Sequence, residues 1–517
     1  MHVSHPLIKE GLLESRQYQE AILAKAAETN LMVVLPTGLG KTPIAVMLVV
    51  QRLDKFPESK VMVLAPTKPL VSQHHKTFLN FLNIPAEDMQ VVTGSVKAEK
   101  RKDLYETKKL LFATPQTIRN DIENNIFSFE NYSLLVIDEI HHGVGEYAYP
   151  YLAGVYMKQS KNPRILGLTA SPSSENQKIR EICESCHIEE IEIKTETDAD
   201  VAPYVKGKRV DWIEVELPQT FVQIRDILNN ALTERVERLQ RLGFIRRTKA
   251  TKRVLLDLQS KIFGKIKAGN RSLFNYLSYA TEAIKIEHAL TLIETQGIRS
   301  LENYFRKLRT EKSGMRLLED RKMSNAMFLS NKLAESGASH PKMARLLEVV
   351  NRQLTENRDA KIIVFASYRE MVKEIVSALQ KLDLARPIEF VGQRGLSQKE
   401  QIRVIREFRE GKYNILVGTS ISEEGLDIPS MDIAIFYEPV PSEIRSIQRR
   451  GRVGRHAEGR IIILMTKNTR DEAYYWVAKN KEKKMKGLLY GMQQGVKQFG
   501  LASQNSEFPG KAGNEEK

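Results

Sequence analysis

The chain has 517 residues, more than one ordinary hydrophobic core accommodates, so two or three domains are expected. Its 42% hydrophobic and 28% charged residues exclude a disordered chain, and no apolar run approaches the ~20 residues that span a bilayer. The formal net charge of +15 points to an anionic partner such as nucleic acid, and the start MHVSHPLIKEGLLESRQYQE lacks a signal-peptide core, which predicts a cytoplasmic protein with no membrane partner.

Arg16-Gln17-Tyr18-Gln19 opens a helical stretch. The Gln19 amide carries both a donor and an acceptor, the pair that reads an adenine edge, although most helical glutamines are simply solvated. Residues 31–35 form a short, β-branched apolar run that reads as a buried parallel strand, and residues 44–50 read as a helix packed back against it. Between them lies Thr37-Gly38-Leu39-Gly40-Lys41-Thr42. Two glycines permit a tight turn that aims backbone N–H groups at an anion beside a helix N-terminus. Lys41 then reaches outer phosphates, and the Thr42 hydroxyl ligates magnesium. Leu35 stands where the usual pattern has its first glycine, and Pro43 suits the first helical turn. This stretch predicts a nucleotide site.

Further apolar runs at 61–64, 110–113, 134–137 and 165–168 each end in a small polar loop: APTKP, TPQT, DEIH and TAS. In open α/β sheets that edge is where ligands bind, and strands alternating with helices predict a doubly wound parallel sheet. Asp138, ending its strand, would hold a magnesium bridging phosphates, and Glu139 would orient or deprotonate an attacking water. An acidic pair at a strand end is often only a helix cap. Following a phosphate loop by about a hundred residues, it reads as ATP hydrolysis with ATP and Mg2+ as cofactors. The two cysteines, in Cys183-Glu184-Ser185-Cys186-His187, match a haem or half-zinc pattern, but no second Cys pair exists, so ordinary thiols are expected.

From about 219 to 340 helical periodicity dominates and no strand stands out. Residues 221–340 hold 23 Lys and Arg against 12 Asp and Glu, which is most of the net charge. Between Arg241 and Arg271 ten basic residues face one acid, Asp257. A solubility face normally mixes signs, so a helical module that grips phosphates is expected. Phe244, Phe263, Phe274 and Tyr276 lie among these charges at helical spacing, which predicts core positions.

A second α/β unit begins near Ala360, with strands at 362–365, 415–417, 433–437 and 460–465. Ser397-Gln398-Lys399-Glu400 is a capping box. Glu424-Gly425-Leu426-Asp427 and Gln448-Arg449-Arg450-Gly451-Arg452-Val453-Gly454-Arg455 stand between the strands. The unit has no phosphate loop of its own, and the Gly, Ser and Asn-rich end reads as a flexible tail or linker. The expected domains are a first lobe at 1–203, a basic insert at 204–339, a second lobe at 340–490 and a tail at 491–517.

In order, RQYQ, PTGLGKT, APTKP, ATPQT, DEIH, TAS, IIVFASYRE, GTSISEEGLDIP and QRRGRVGR resemble the motif series of superfamily 2 helicases of the DExH type, over nearly all of 1–203 and 340–470. The TAS and QRRGRVGR wording, with helices inserted between lobes, is similar to the archaeal fork-structure helicase–nuclease family (Hef) and the Fanconi anaemia M-type translocases. The resemblance implies an α/β fold: two RecA-like doubly wound parallel-sheet lobes with an all-helical insert between them. It implies that Gln19 reads adenine, that Thr37, Gly38, Gly40, Lys41 and Thr42 hold ATP, and that Thr42 and Asp138 hold Mg2+ beside the base Glu139. His141, Thr169, Ser171 and Gln448 would couple hydrolysis to strand movement. Gly425 and Asp427 would close on the nucleotide, with Arg452 and Arg455 as arginine fingers. Thr67, Thr114 and Thr419 would follow a nucleic-acid backbone, and Lys249, Lys252 and Arg253 of the insert would grip a second arm.

The implied function is an ATP-dependent DNA helicase or translocase acting on forked or branched DNA, in fork or junction processing and repair. RNA-sensing and Dicer-type helicases also insert helices between lobes, so a double-stranded-RNA-dependent ATPase is the alternative. No nuclease motif follows Arg470, which implies either a helicase-only relative or part of a longer chain with a nuclease domain.

Overall fold

Seven strands make the first sheet: β1 (Leu31–Val34), β2 (Lys60–Leu64), β3 (Met89–Val92), β4 (Leu110–Ala113), β5 (Tyr132–Asp138), β6 (Ile165–Thr169) and β7 (Glu190–Ile193). Their order is β3-β4-β2-β5-β6-β1-β7, with every pairing parallel. The computed structural model describes residues 2–173, 175–205, 208–241, 243–244, 251–391, 397–419, 431–439 and 459–499. Side chains alternate across the pleat, so Leu31, Val33, Val61, Val63 and Val136 enter one core, and Met32, Val34, Met62, Leu64 and Ile137 the other. Helices cover both faces, which is why these strands read as unbroken apolar runs.

The second sheet holds β8 (Lys208–Val215), β9 (Ile362–Phe365), β10 (Pro387–Phe390), β11 (Ile415–Gly418), β12 (Ile433–Phe436) and β13 (Gly459–Thr466), in the parallel order β10-β11-β9-β12-β13-β8. The capping box forms as expected, Ser397 accepting from Glu400 N and Glu400 from Ser397 N. Strand β8 departs from the sequence reading, which placed 204–339 in the helical insert. It pairs with β13 along eight residues and belongs to the second lobe. As an edge strand it keeps alternate side chains in water: Val210 and Trp212 are exposed, while Asp211 pairs with Arg460 of β13.

The insert proper runs through the helices Gln219–Arg241, Lys252–Lys267, Phe274–Thr295, Ile298–Leu308, Lys312–Leu318 and Arg321–Glu335. Arg235, nearly buried, ties three of them together through Glu282 (3.3 Å) and Asp320 (2.8 Å). Two of the four aromatics expected in the core are elsewhere. Phe263 is 48% and Phe274 56% exposed, because Leu255, Leu258 and Ile262 already fill the inner stripe of the helix carrying Phe263. Phe244 and Tyr276 do pack at the edge of that core.

The last helix, Arg470–Phe499, continues through residues expected in a tail from 491. It touches all three parts of the molecule. Arg470 binds Glu287 and Glu294 of the insert, and Asp471 forms a fully buried ion pair with Lys342 at 2.9 Å. Further along, Met485 and Leu488 enter a core of the first lobe, and the Tyr490 hydroxyl lies 3.3 Å from Asp198. Among the described residues no helix is long and apolar enough to cross a membrane.

Candidate active site

Strands β4, β2, β5, β6 and β1 are consecutive neighbours, so the loops at their C-terminal ends form one row. Along it stand Thr114, Thr67, Asp138, Thr169 and the glycine loop. At ~4.8 Å per strand this row is roughly 19 Å long. In the glycine loop, Gly38 has φ 90° and Gly40 φ 82°, the left-handed region in which glycine alone is unstrained. A Cβ on Gly40 would also collide with the Gln19 amide. The helix Lys41–Lys55 starts directly after this turn, so its first N–H groups face the loop. Thr42 lies half-buried in the first turn. Lys41 Nζ donates to Leu35 O at 2.9 Å.

Gln19 is buried against the loop, its Nε2 donating to Gly40 O at 3.3 Å, while the Tyr18 hydroxyl donates to Leu39 O at 2.6 Å. Gln19 Oε1 is buried with no hydrogen-bond partner. That orphaned acceptor matches the amino group of an adenine, and the positive-φ glycines match phosphate oxygens. The residues present therefore fit ATP.

Asp138 ends β5, is 6% exposed, and lies 2.7 Å from His74 Nε2. Burial pushes its carboxyl up, but the His74 imidazole and the Lys41 ammonium outweigh that and hold it below the usual range. An ionised carboxylate facing Lys41 suits a divalent cation, with Thr42 close by in the chain. Tyr149 fixes the backbone here by donating to Asp138 O at 2.7 Å. Glu139 follows at φ 49°, a strained conformation for a residue with a side chain. Its Oε2 is 3.2 Å from His141 Nδ1, which lies 3.1 Å from Thr169 Oγ1 on the next strand. Thr169 Oγ1 in turn accepts from Ser171 N at 3.1 Å, and Leu35 N donates to Thr169 O. A continuous chain thus runs from the acidic pair to the TAS segment and back to the glycine loop.

Sequence reasoning missed His74. Its signal was a histidine inside the buried stripe Val71, His74, Phe78 of the helix Lys68–Phe81. Two of the threonines have local structural duties. Thr67 caps that helix by accepting from Leu70 N, and Thr114 shares a 2.8 Å hydrogen bond with Thr117. Thr419 follows β11, nearly buried. Lys252 and Arg253 are exposed on the helix Lys252–Lys267. Gly425, Asp427, Gln448, Arg452, Arg455 and Lys249 lie outside the described residues. Both cysteines are free thiols, pushed up to about 12 at Cys183 and about 11 at Cys186 by burial, which suits packing and not metal binding.

Three family models match the chain: "DEAD/DEAH box helicase" at 16–179, "Helicase conserved C-terminal domain" at 341–457, and "Putative ATP-dependent RNA helicase, helical bundle" at 220–337. The crystal structure of the Pyrococcus furiosus Hef helicase domain superposes with a TM-score of 0.72 at 44% identity, over 91% of this chain and 99% of that one. "Putative ATP-dependent RNA helicase MJ1505" of Methanocaldococcus jannaschii is 41% identical over 95% of this chain and 63% of its own length. "ATP-dependent DNA helicase fml1" of Schizosaccharomyces pombe is 33% identical over 90% of this chain and 58% of its own. The chain thus spans about three fifths of these two relatives. With the motif row on one sheet edge, two parallel lobes and a helical bundle between them, the chain belongs to the ATP-dependent superfamily 2 helicases of the DEAD/DEAH type, in the branch of Hef and the Fanconi anaemia M proteins.

Proposed function

We propose that this chain is the motor of a DNA translocase that hydrolyses ATP to remodel forked or branched DNA in fork processing and repair. The observation that carries the reading is the row itself: the nucleotide loop, Asp138 and Thr169 continue without a gap into Thr67 and Thr114, so the nucleotide and a nucleic-acid backbone share one edge. Bound Mg–ATP supplies the phosphoanhydride bond and the charge neutralisation for its cleavage. In this reading Lys41 and the loop N–H groups hold phosphates, Thr42 and Asp138 hold the metal, and Glu139 takes the proton of the attacking water. His141 passes the state of that site to Thr169 and Ser171. The second lobe supplies Gly425, Asp427, Arg452 and Arg455. Arginine fingers elsewhere contribute on the order of 10³ to 10⁵ in rate, so Arg455→Ala lowers kcat at saturating nucleic acid while leaving binding near normal.

Forked DNA is favoured by the basic insert, whose Lys252 and Arg253 offer a positive surface for a second arm. The DNA-helicase names of relatives such as fml1 and the Hef fold support the same substrate. A second reading, a double-stranded-RNA-dependent ATPase, is favoured by the RNA-helicase name of the relative at 41% identity. Steady-state ATP hydrolysis with single-stranded, duplex and forked DNA and with duplex RNA separates the two. Greatest stimulation by forks supports the first reading, and stimulation by duplex RNA alone overturns it.

A further inference from the structure

The chain has only two tryptophans, and both lie on one open face of the second lobe. Trp212, on edge strand β8, is 37% exposed, and Trp476, on the helix Arg470–Phe499, is 53% exposed. Tyr475 sits between them, its ring centre 4.2 Å from that of Trp212 and 5.1 Å from that of Trp476. The three rings line a groove of 700 Å3 that Phe436 and Ile463 also border. Trp476, Lys479, Lys483 and Lys486 recur at three- and four-residue steps and so share one stripe of the helix. Ala478 and Met485 are buried against the protein, Ala478 at the wall of the groove. Lys479 Nζ lies 5.6 Å from the Tyr475 ring centre and 5.2 Å from that of Trp476. From 479 to 486 there are five lysines and one acid, Glu482, which pairs with Lys486 at 3.2 Å.

A lysine face kept only for solubility normally mixes signs and carries few exposed aromatics. Three adjoining rings among lysines are instead the combination that takes unpaired bases and their phosphates. A duplex keeps its base faces stacked inside and offers such rings nothing to stack on. The groove is separate from the first-lobe row but adjoins it: Val210, Glu482 and Lys486, at its border, also line a cavity with Pro36, Thr37 and Ala170.

We propose that this face is a second nucleic-acid site, specific for a single strand, in which Trp476, Tyr475 and Trp212 stack bases while Lys479 and Lys483 hold phosphates. It deepens the translocase reading, on which it rests, by giving a separated strand a place to lie. The test titrates an oligothymidylate into the whole chain, following tryptophan emission together with the anisotropy of a label on the DNA. Because both tryptophans are in the groove, emission is quenched in step with binding. Trp212→Phe keeps that quenching through Trp476. Trp476→Ala weakens single-strand affinity about five- to 150-fold. Lys479→Gln with Lys483→Gln, on solvated positions that do not endanger folding, lowers the salt slope by about 1.4. ATP hydrolysis without nucleic acid is unchanged in all of these. Anisotropy that reports binding while emission stays constant overturns the site and leaves the translocase reading standing. Equal quenching by a blunt duplex overturns the single-strand assignment. No binding to any oligonucleotide overturns both.

Discussion

At Asp138 a carboxylate sits almost out of water, and keeping it ionised there is costly without a partner. His74, 2.7 Å away, is that partner, and the Lys41 ammonium adds its positive charge. Removing one member of a buried pair costs about 3 kcal/mol or more. His74→Leu should therefore lower the melting temperature of the nucleotide-free protein and raise the Mg2+ concentration needed for half-maximal ATP hydrolysis. An unchanged melting curve with unchanged Mg2+ demand would show that the pair does not position Asp138. The glycine loop and the acidic pair were legible in the sequence because each is local, a few residues whose types suffice. The His74 contact was not, since it joins residues 64 positions apart and only the fold brings them together.

The helices of the insert carry two further consequences. His288, on the helix Phe274–Thr295, packs edge-on against Tyr304 and is pushed down to about 4 by burial, with Lys252 and Lys307 adding to the shift. The unfolded chain protonates this residue near pH 6.5, whereas the folded one stays neutral until about 4. The unfolded state thus binds more protons in that window, and stability falls as the pH drops through it. Thermal melts near pH 7.5 and pH 5 should show a smaller loss for His288→Gln than for the wild type; equal losses would refute the assignment. Replacing Lys249, Lys252 and Arg253 by Gln should weaken fork binding and flatten its salt dependence by up to about 0.9 per lost duplex phosphate contact. Equal binding across a salt titration would mean these charges meet only water.

Elements with a full period of apolar residues, such as β5 or the helix Lys41–Lys55, could be read directly from sequence. Strand β8 could not, because at a sheet edge half its residues, Arg209 and Asp211 among them, carry charge. The exposed Phe263 and Phe274 failed for the opposite reason: helical spacing alone does not say which stripe of a helix faces inward.

Across the whole molecule, the helix Arg470–Phe499 is the element that both lobes and the insert share. Its Arg470 and Asp471 anchor it to the insert and the second lobe, and Met485 carries it into the first-lobe core, where Ser171 Oγ lies 3.2 Å from the sulfur. Ser171 also ends the series of close polar contacts that runs from Glu139 through His141 and Thr169, so the site and the second lobe meet at this helix. The two-lobe plan was legible because nine motif blocks occur in order. The bridging helix was not, since the sequence places 470–490 in the second lobe and does not show that Met485 and Leu488 reach the first-lobe core.

The central claim is that hydrolysis at the Asp138–Glu139 edge drives movement on branched DNA. Displacement of one arm of a labelled fork, measured for the wild type and for Glu139→Gln at saturating ATP, tests it most directly. The wild type should release the arm only when ATP is supplied, while Glu139→Gln binds both ATP and the fork and releases nothing. Arm release at the wild-type rate by Glu139→Gln, or by the wild type without ATP, would contradict the account.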